Sequence, residues 1–382
     1  VSLLVPATRH DIASVRWDDA VRACGPDVVA LSVADMDFRA PQAVIDAVVE
    51  RAATGAYRYT YTTDDVARSV CDWFGARHGW PITPDEVVSV GRVVESMPAI
   101  LRDLLPTGAR VIVPQPAYGP IPAAVRAAGC QVVDWPLQLD GARYEHDLAT
   151  LETLCVDASA IVLTNPHNPT GRVWRPSELG ALTRIAAEAG LYVMSDEVHA
   201  DILLGDARFT SALQATPDPA RTLSFTSPGK SFNLAGLETV NIVVPDTALR
   251  SRVRHAVENA GCRNPRFFAG VATAAAYREG AAWLDELRGL VGHHLDVLRD
   301  ALTAMHPAVR LVEPEGTFLA WIDLRDLHVP DAAIAARLAA AGLVLSGGPS
   351  FGPAGSGFVR MNLAAPSALV TEGIRRLVTA WA

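Results

Sequence analysis

The chain has 382 residues, half of them apolar, enough for a large buried core and for either two units of ordinary size or one large unit carrying a smaller one. A formal net charge of −9 would repel phosphate backbones, which argues against nucleic acid or an anionic membrane surface as a partner and for a small-molecule substrate. The opening run Val1–Pro6 is short and lacks a basic flank, no stretch approaches the ~20 apolar residues of a membrane span, and Cys24, Cys71, Cys130, Cys155 and Cys262 have neither disulfide-framework nor zinc spacing, so a cytoplasmic protein without a metal site is expected.

Along the chain, apolar runs at 111–114, 160–164, 191–195, 222–226 and 240–244 read as strands, with helices near 120–128 and 176–189 between them. That alternation predicts an α/β fold: a mostly parallel sheet, of the seven-stranded type, covered by helices. A long helix around 280–304 follows, then strands at 309–312, 317–323, 343–346 and 358–363 with helices near 331–341 and 366–381, which together read as a smaller α+β unit. The pair His293-His294 falls on what reads as a solvated face of the long helix and is not expected to ligate anything.

In an open α/β sheet, ligands bind beyond the carboxyl ends of the strands. Three polar clusters fall there: Asn165-Pro166-His167-Asn168-Pro169-Thr170-Gly171, Ser195-Asp196-Glu197-Val198-His199 and Ser227-Pro228-Gly229-Lys230. Lys230 is the only lysine of the chain, against 32 arginines. A GC-rich genome accounts for the bias towards arginine. It does not account for the survivor, because a guanidinium stays protonated whereas an amine can lose its proton and act as a nucleophile. A P-loop ending at Gly229-Lys230-Ser231 is rejected, since Ser224 stands where that motif needs its first glycine.

A site for pyridoxal 5′-phosphate (PLP) needs an amine for a Schiff base, a carboxylate opposite the pyridine nitrogen, donors to the ring hydroxyl and a phosphate cradle. Lys230, Asp196, Asn168 with His199, and Ser227 fill those places in turn.

The same segments carry a family likeness. NPHNPTG, SDEVH, SPGKSFNLAGL and FVRMNLAAP resemble the class I/II aminotransferases of PLP fold type I, and more narrowly the MalY and PatB group of carbon-sulfur β-lyases, from about Trp17 to the end of the chain. Marks of that group are the run Val33-Ala34-Asp35-Met36-Asp37-Phe38, a histidine at 199 and Phe232-Asn233-Leu234-Ala235-Gly236-Leu237. The resemblance implies a large cofactor-binding unit at 46–287 and a small unit formed by 1–45 and 288–382. It implies a homodimer with shared active sites, and catalytic roles for Lys230, Asp196 and Tyr118, the last stacked on the cofactor ring.

The resemblance also implies that Gly91, Arg92, Val93 and Ser227 cradle the phosphate, that Tyr59 reaches the neighbouring subunit's phosphate, and that Arg360 clamps the substrate carboxylate. Asp35 and Asp37 read as structural.

Four positions depart from the lyase pattern: Ser32 replaces a tryptophan, Arg58 and Gly229 stand where Gly and Ser are usual, and Arg92 replaces a valine. Glu238 occupies the place, eight residues after the lysine, where many aminotransferases hold the phosphate with an arginine. Ser32, Ala34 and Arg58 are expected on the substrate side, and Arg58 with Arg92 is expected to make a more cationic mouth suited to a bulky, polar or anionic S-conjugate of cysteine. The implied reaction is β-elimination to thiol, pyruvate and ammonia. Transamination and decarboxylating oxidative deamination remain open, since the same residues support all three. A non-catalytic PLP-sensing regulator is a remote fourth, and no DNA-binding unit is expected before Trp17.

Overall fold

The computed structural model describes residues 2–7, 13–262 and 265–381; Val1 of the opening run lies outside them. Seven strands form one sheet in the order Val87–Val90, Val240–Val243, Thr222–Thr226, Tyr192–Asp196, Ala160–Thr164, Arg110–Gln115, Gln131–Pro136. Val240–Val243 runs antiparallel to both its neighbours, and the other pairings are parallel. The central strands Ala160–Thr164 and Thr222–Thr226 are buried at every position, as expected where helices cover both faces of a sheet.

The expected strands and helices are present to within about two residues, except that the expected strand 343–346 is divided into Leu343–Val344 and Ser346–Gly347, which pair in different sheets. The strands Val87–Val90 and Gln131–Pro136 were not expected. The first has only four residues, and the second is an edge strand that exposes Gln131 and Asp134, so neither shows a sustained apolar run.

Covering helices follow ordinary start signals. Pro176–Glu188 opens on proline, and Glu178 reaches back to the Arg175 amide at 2.6 Å. The helix Asp64–His78 is capped by the Thr63 hydroxyl.

A second, four-stranded antiparallel sheet runs Arg310–Val312, Leu319–Asp323, Phe358–Asn362, Ser346–Gly347. It is joined to the N-terminal segment by the short parallel pair Val29–Ala30 with Leu343–Val344. The 25-residue helix Ala281–Met305 buries Leu284, Leu287, Val291, His294, Leu295, Leu298 and Leu302, the one-sided spacing of a helix laid on a core.

His294 corrects the expectation of a solvated pair. It is buried, its Nδ1 bonded to Leu363 O and its Nε2 to Ser367 Oγ, each at 2.9 Å, while His293 is exposed. Leu363 and Ser367 lie some seventy residues further along the chain and supply the partners that make a buried imidazole tolerable. Among the described residues no helix is long and apolar enough to cross a membrane, no cluster could hold a metal, and all five cysteines are free.

Candidate active site

Three consecutive parallel strands end side by side and deliver Asn165–Gly171, Asp196–His199 and Ser227–Lys230 to the same edge. Lys230 sits on the short helix Pro228–Ser231, capped by Ser227: the Ser227 hydroxyl accepts from the Gly229 amide at 2.9 Å and donates to Thr239 O at 2.7 Å. A Cβ on Gly229 would lie 2.8 Å from Ser227 Oγ, so glycine there lets the cap close where the usual serine would displace it.

Lys230 Nζ donates to Ala34 O at 2.6 Å. That carbonyl belongs to the run 33–38, which is clamped from two sides. Asn233 accepts from the Met36 amide and donates to Met36 O and Phe38 O, while Asn362 donates to Val33 O and Asp35 O. Asn233 adopts φ 58°, a left-handed conformation that asparagine tolerates better than most residues. Burial, followed by the Arg360 charge, pushes the Lys230 amine down to about 8, with Asp35 and Asp196 opposing. The neutral amine is therefore far easier to reach near neutral pH than for an ordinary lysine.

Asp196 ends its strand 6% exposed, and among the described residues its carboxylate accepts one hydrogen bond, from the Val198 amide at 3.4 Å. Burial pushes its carboxyl up to about 6, against the Val198 amide and the Lys230 charge. A buried carboxylate with so little donor support is matched to a cationic N–H such as a pyridinium. His199 is buried with an unpartnered Nδ1, and burial, then the Lys230 and Arg360 charges, keep its imidazole neutral.

Arg360 is 4% exposed and has no carboxylate partner among the described residues. It donates to Asn168 Oδ1 and Ser32 O at 2.9 Å and to Ser346 Oγ at 3.2 Å; its Nε is buried without a partner. Burial lowers it to about 10, so it remains charged at neutral pH. A buried cation held only by neutral groups is poised for a carboxylate. Ser32 thus meets the site through its backbone carbonyl.

Tyr118 stands at the mouth, 37% exposed. Burial, then Asp196, raises its phenol, while Arg360 and Arg92 oppose, so all three charges are felt at its oxygen. The residues present fit PLP: an amine, a buried carboxylate for the pyridine nitrogen, the buried side chains of Asn168 and His199, and a helix start at Gly91–Val93 one strand away from the strand that leads to Ser227.

Two expectations need correction or qualification. Arg92 does not add net charge to the mouth, since its guanidinium bonds Glu238 at 2.6 Å and lies 3.7 Å from Glu95. Arg58 is exposed and pairs with no described acid, and Tyr59, 96% exposed, touches nothing in its own pocket. Asp35 and Asp37 both pair with buried Arg16, and Asp37 also accepts from Trp17 Nε1 at 2.9 Å.

Sequence reasoning missed two buried acids behind the site. Asp201 accepts from Trp73 Nε1 and lies 2.8 Å from His78 Nε2. It also accepts from Ser231 Oγ at 2.6 Å, tying the lysine-bearing turn to the helix Asp64–His78. Glu197 points away from Asp196, accepts from the Ala212 amide at 2.8 Å and leaves Oε2 unpartnered near the hydroxyls of Ser195, Ser211 and Ser224.

Burial pushes Glu197 up to about 7, with the Ala212 amide and these hydroxyls opposing. A raised carboxyl takes up a proton on folding. The stability this contributes is full below the unfolded value near 4.5 and is lost as pH rises through about 7. Glu197→Gln keeps the acceptor and removes the charge, so its melting temperature should exceed that of the parent by about 2–4 °C at about pH 8.5 and match it near pH 5. Calorimetry at both pH values checks this; an equal shift at both would refute it.

Residues 26–377 match the family model for aminotransferase class I and II. The chain is 33% identical over 373 residues to cystathionine β-lyase PatB of Bacillus subtilis, covering 96% of each chain. It is 28% identical to protein MalY of Escherichia coli, covering 97% of this chain and 96% of that one. Its fold superposes on the crystal structure of cystalysin from Treponema denticola, which contains a PLP cofactor, with a TM-score of 0.94 at 30% identity, covering 99% of this chain and 98% of that one.

Proposed function

The chain belongs to the aminotransferase class I and II family, and from that premise we propose that it is a PLP-dependent carbon-sulfur β-lyase, cleaving an S-substituted cysteine to a thiol, pyruvate and ammonia. The observation that carries this reading is one lysine, lowered to about 8, set beside a buried and weakly supported Asp196 and a buried Arg360 with no acid of its own.

Lys230 would hold PLP, which would supply an electron sink for loss of the substrate α-proton. Arg360 binds the substrate carboxylate through NH1 and NH2, exchanging bonds now made to Asn168 and Ser32. Asp196 would hold the pyridine nitrogen and keep it protonated, while Asn168 and neutral His199 would serve the ring hydroxyl. Lys230 Nζ, lowered to about 8, would take the substrate α-proton. The Cβ–S bond then breaks with its electron pair leaving on sulfur, and the three-carbon fragment hydrolyses to pyruvate and ammonia. Tyr118 would cover the ring face, and the 91–93 amides with Ser227 would take the phosphate.

The same reading divides the chain into a cofactor-holding unit, 46–287, and a unit made by both ends, 1–45 and 288–382. It makes the working form a cytoplasmic homodimer. Tyr57, Tyr59 and Tyr61 are 67, 96 and 78% exposed along one extended segment, which supports burial of that segment against a second copy with Tyr59 reaching the partner's phosphate. Arg58, beside it, is exposed and pairs with no described acid, and its charge favours an anionic S-substituent.

Arg360→Ala should raise KM for the amino acid by about 30- to 1000-fold with a smaller fall in kcat, the loss expected when one partner of a desolvated charge pair is removed. Initial rates over a range of substrate concentrations check this, and an unchanged KM would refute the role.

The reaction itself is tested by supplying holoenzyme with an S-substituted cysteine and no keto-acid acceptor. Catalytic thiol and pyruvate in equal amounts is the expected result. A single stoichiometric turnover would mean transamination instead, and carbon dioxide release with oxygen uptake would mean oxidative decarboxylation.

A further inference from the structure

At the phosphate end of the site, the strand Val87–Val90 gives way at Gly91 to the helix Val93–Leu104, with Arg92 as its cap residue. Glu238 stands beside this turn, one residue before Thr239, whose carbonyl takes the Ser227 hydroxyl. Its carboxylate accepts from Arg92 NH2 at 2.6 Å and from Arg266 Nε. Glu95 closes the circuit, 3.3 Å from Arg266 NH2 and 3.7 Å from Arg92 Nε.

Two guanidiniums and two carboxylates thus form a closed ring with no net charge. The ring lies directly against the backbone of the turn, for a Cβ on Gly91 would stand 3.3 Å from Oε2 of both Glu238 and Glu95. Burial acts to raise the Glu238 carboxyl, but Arg266 and Arg92 prevail and hold it below its ordinary value, so it is an anion throughout the neutral range. The Arg92 charge is also felt at the Tyr118 phenol, inside the site.

A phosphate dianion arriving at the 91–93 amides meets this ring at close range. Arg92 and Arg266 attract it, and Glu238 both repels it and occupies their donors. We propose that Glu238 is a built-in competitor of the cofactor phosphate, holding Arg92 and Arg266 in the ring and so making PLP binding weaker and more readily reversed than the two arginines alone would allow. This rests on the PLP reading above.

The test is equilibrium dialysis of the full-length apoprotein against PLP and, in parallel, against pyridoxal, which lacks the phosphate. Glu238→Gln keeps the shape and one acceptor while removing the charge, and should tighten PLP about 10-fold with pyridoxal unchanged. Arg92→Ala should weaken PLP by a similar factor, again with pyridoxal unchanged. The opposite signs of the two variants distinguish competition from mere support of the turn, and Arg92→Ala keeps the question decidable should Glu238→Gln fold poorly.

Weaker PLP binding by Glu238→Gln, or equal shifts for PLP and pyridoxal in either variant, would overturn the proposal. Failure of the parent apoprotein to take up PLP at all would be a different result: it would remove the cofactor reading itself, and this inference with it.

Discussion

Lys230→Arg is expected to lower kcat/KM for β-elimination by about 10⁴-fold or more, because arginine matches the charge and approximate reach of lysine but can neither link to a carbonyl nor give up a proton near neutral pH. The environment makes the contrast sharp. Burial and the nearby Arg360 charge bring the lysine down to about 8, a value at which it can act as a base, whereas the same surroundings leave a guanidinium fully charged. Two assays report on the two roles: pyruvate formation on the whole reaction, and uptake of solvent deuterium at the substrate α-carbon on the proton transfer alone. Both should fall together. Deuterium uptake that survives in Lys230→Arg would show that another group takes the α-proton.

Asp196→Asn is expected to lower kcat by about 10³-fold while PLP remains bound. The carboxylate lies at the end of a fully paired interior strand, 6% exposed, with one long hydrogen bond of its own. Its free energy is therefore best recovered by a cation placed opposite it. Asparagine keeps the volume and offers an amide, but it cannot hold a pyridine nitrogen in its protonated form, so the electron demand that stabilises the carbanion is lost. Single-turnover rates separate this effect from substrate binding, and a fall of less than tenfold would mean that Asp196 does not serve the ring nitrogen.

Much of the site was legible because its residues stand at strand ends. The runs at 160–164 and 222–226 are interior strands buried at every position; the first reads as a nearly unbroken apolar segment and the second as Leu223 and Phe225 alternating with small hydroxyl residues, and the polar clusters that follow them fall at the carboxyl edge of the sheet. The sole lysine stood out because arginine had replaced lysine everywhere else.

What escaped were the partners supplied from far along the chain. Arg92 read as a free cation until the fold brought Glu238, 146 residues later, to within 2.6 Å of it. His294 read as solvated because its two hydrogen-bond partners, the Leu363 carbonyl and the Ser367 hydroxyl, come from the segment after the strand Phe358–Asn362. Ser32 read as a side chain facing substrate, yet its contribution is a carbonyl oriented towards Arg360. Glu197 and Asp201 carried no local signal, since an acid one or five residues past a strand end is ordinary until the donors packed around it are known. Asn233 and Asn362 did leave a trace, in FNLAG and RMN, but their common task of clamping 33–38 so that Ala34 O meets Lys230 emerges only in three dimensions.

The central claim, that Lys230 is the residue carrying the cofactor, is tested most directly by reducing the holoenzyme with borohydride and measuring its intact mass and peptide map. With a single lysine in the chain, the expected result is one pyridoxyl addition per chain, confined to the peptide that contains Lys230. A holoenzyme that yields unmodified chain, or carries the addition on its terminal amine instead, would contradict the account.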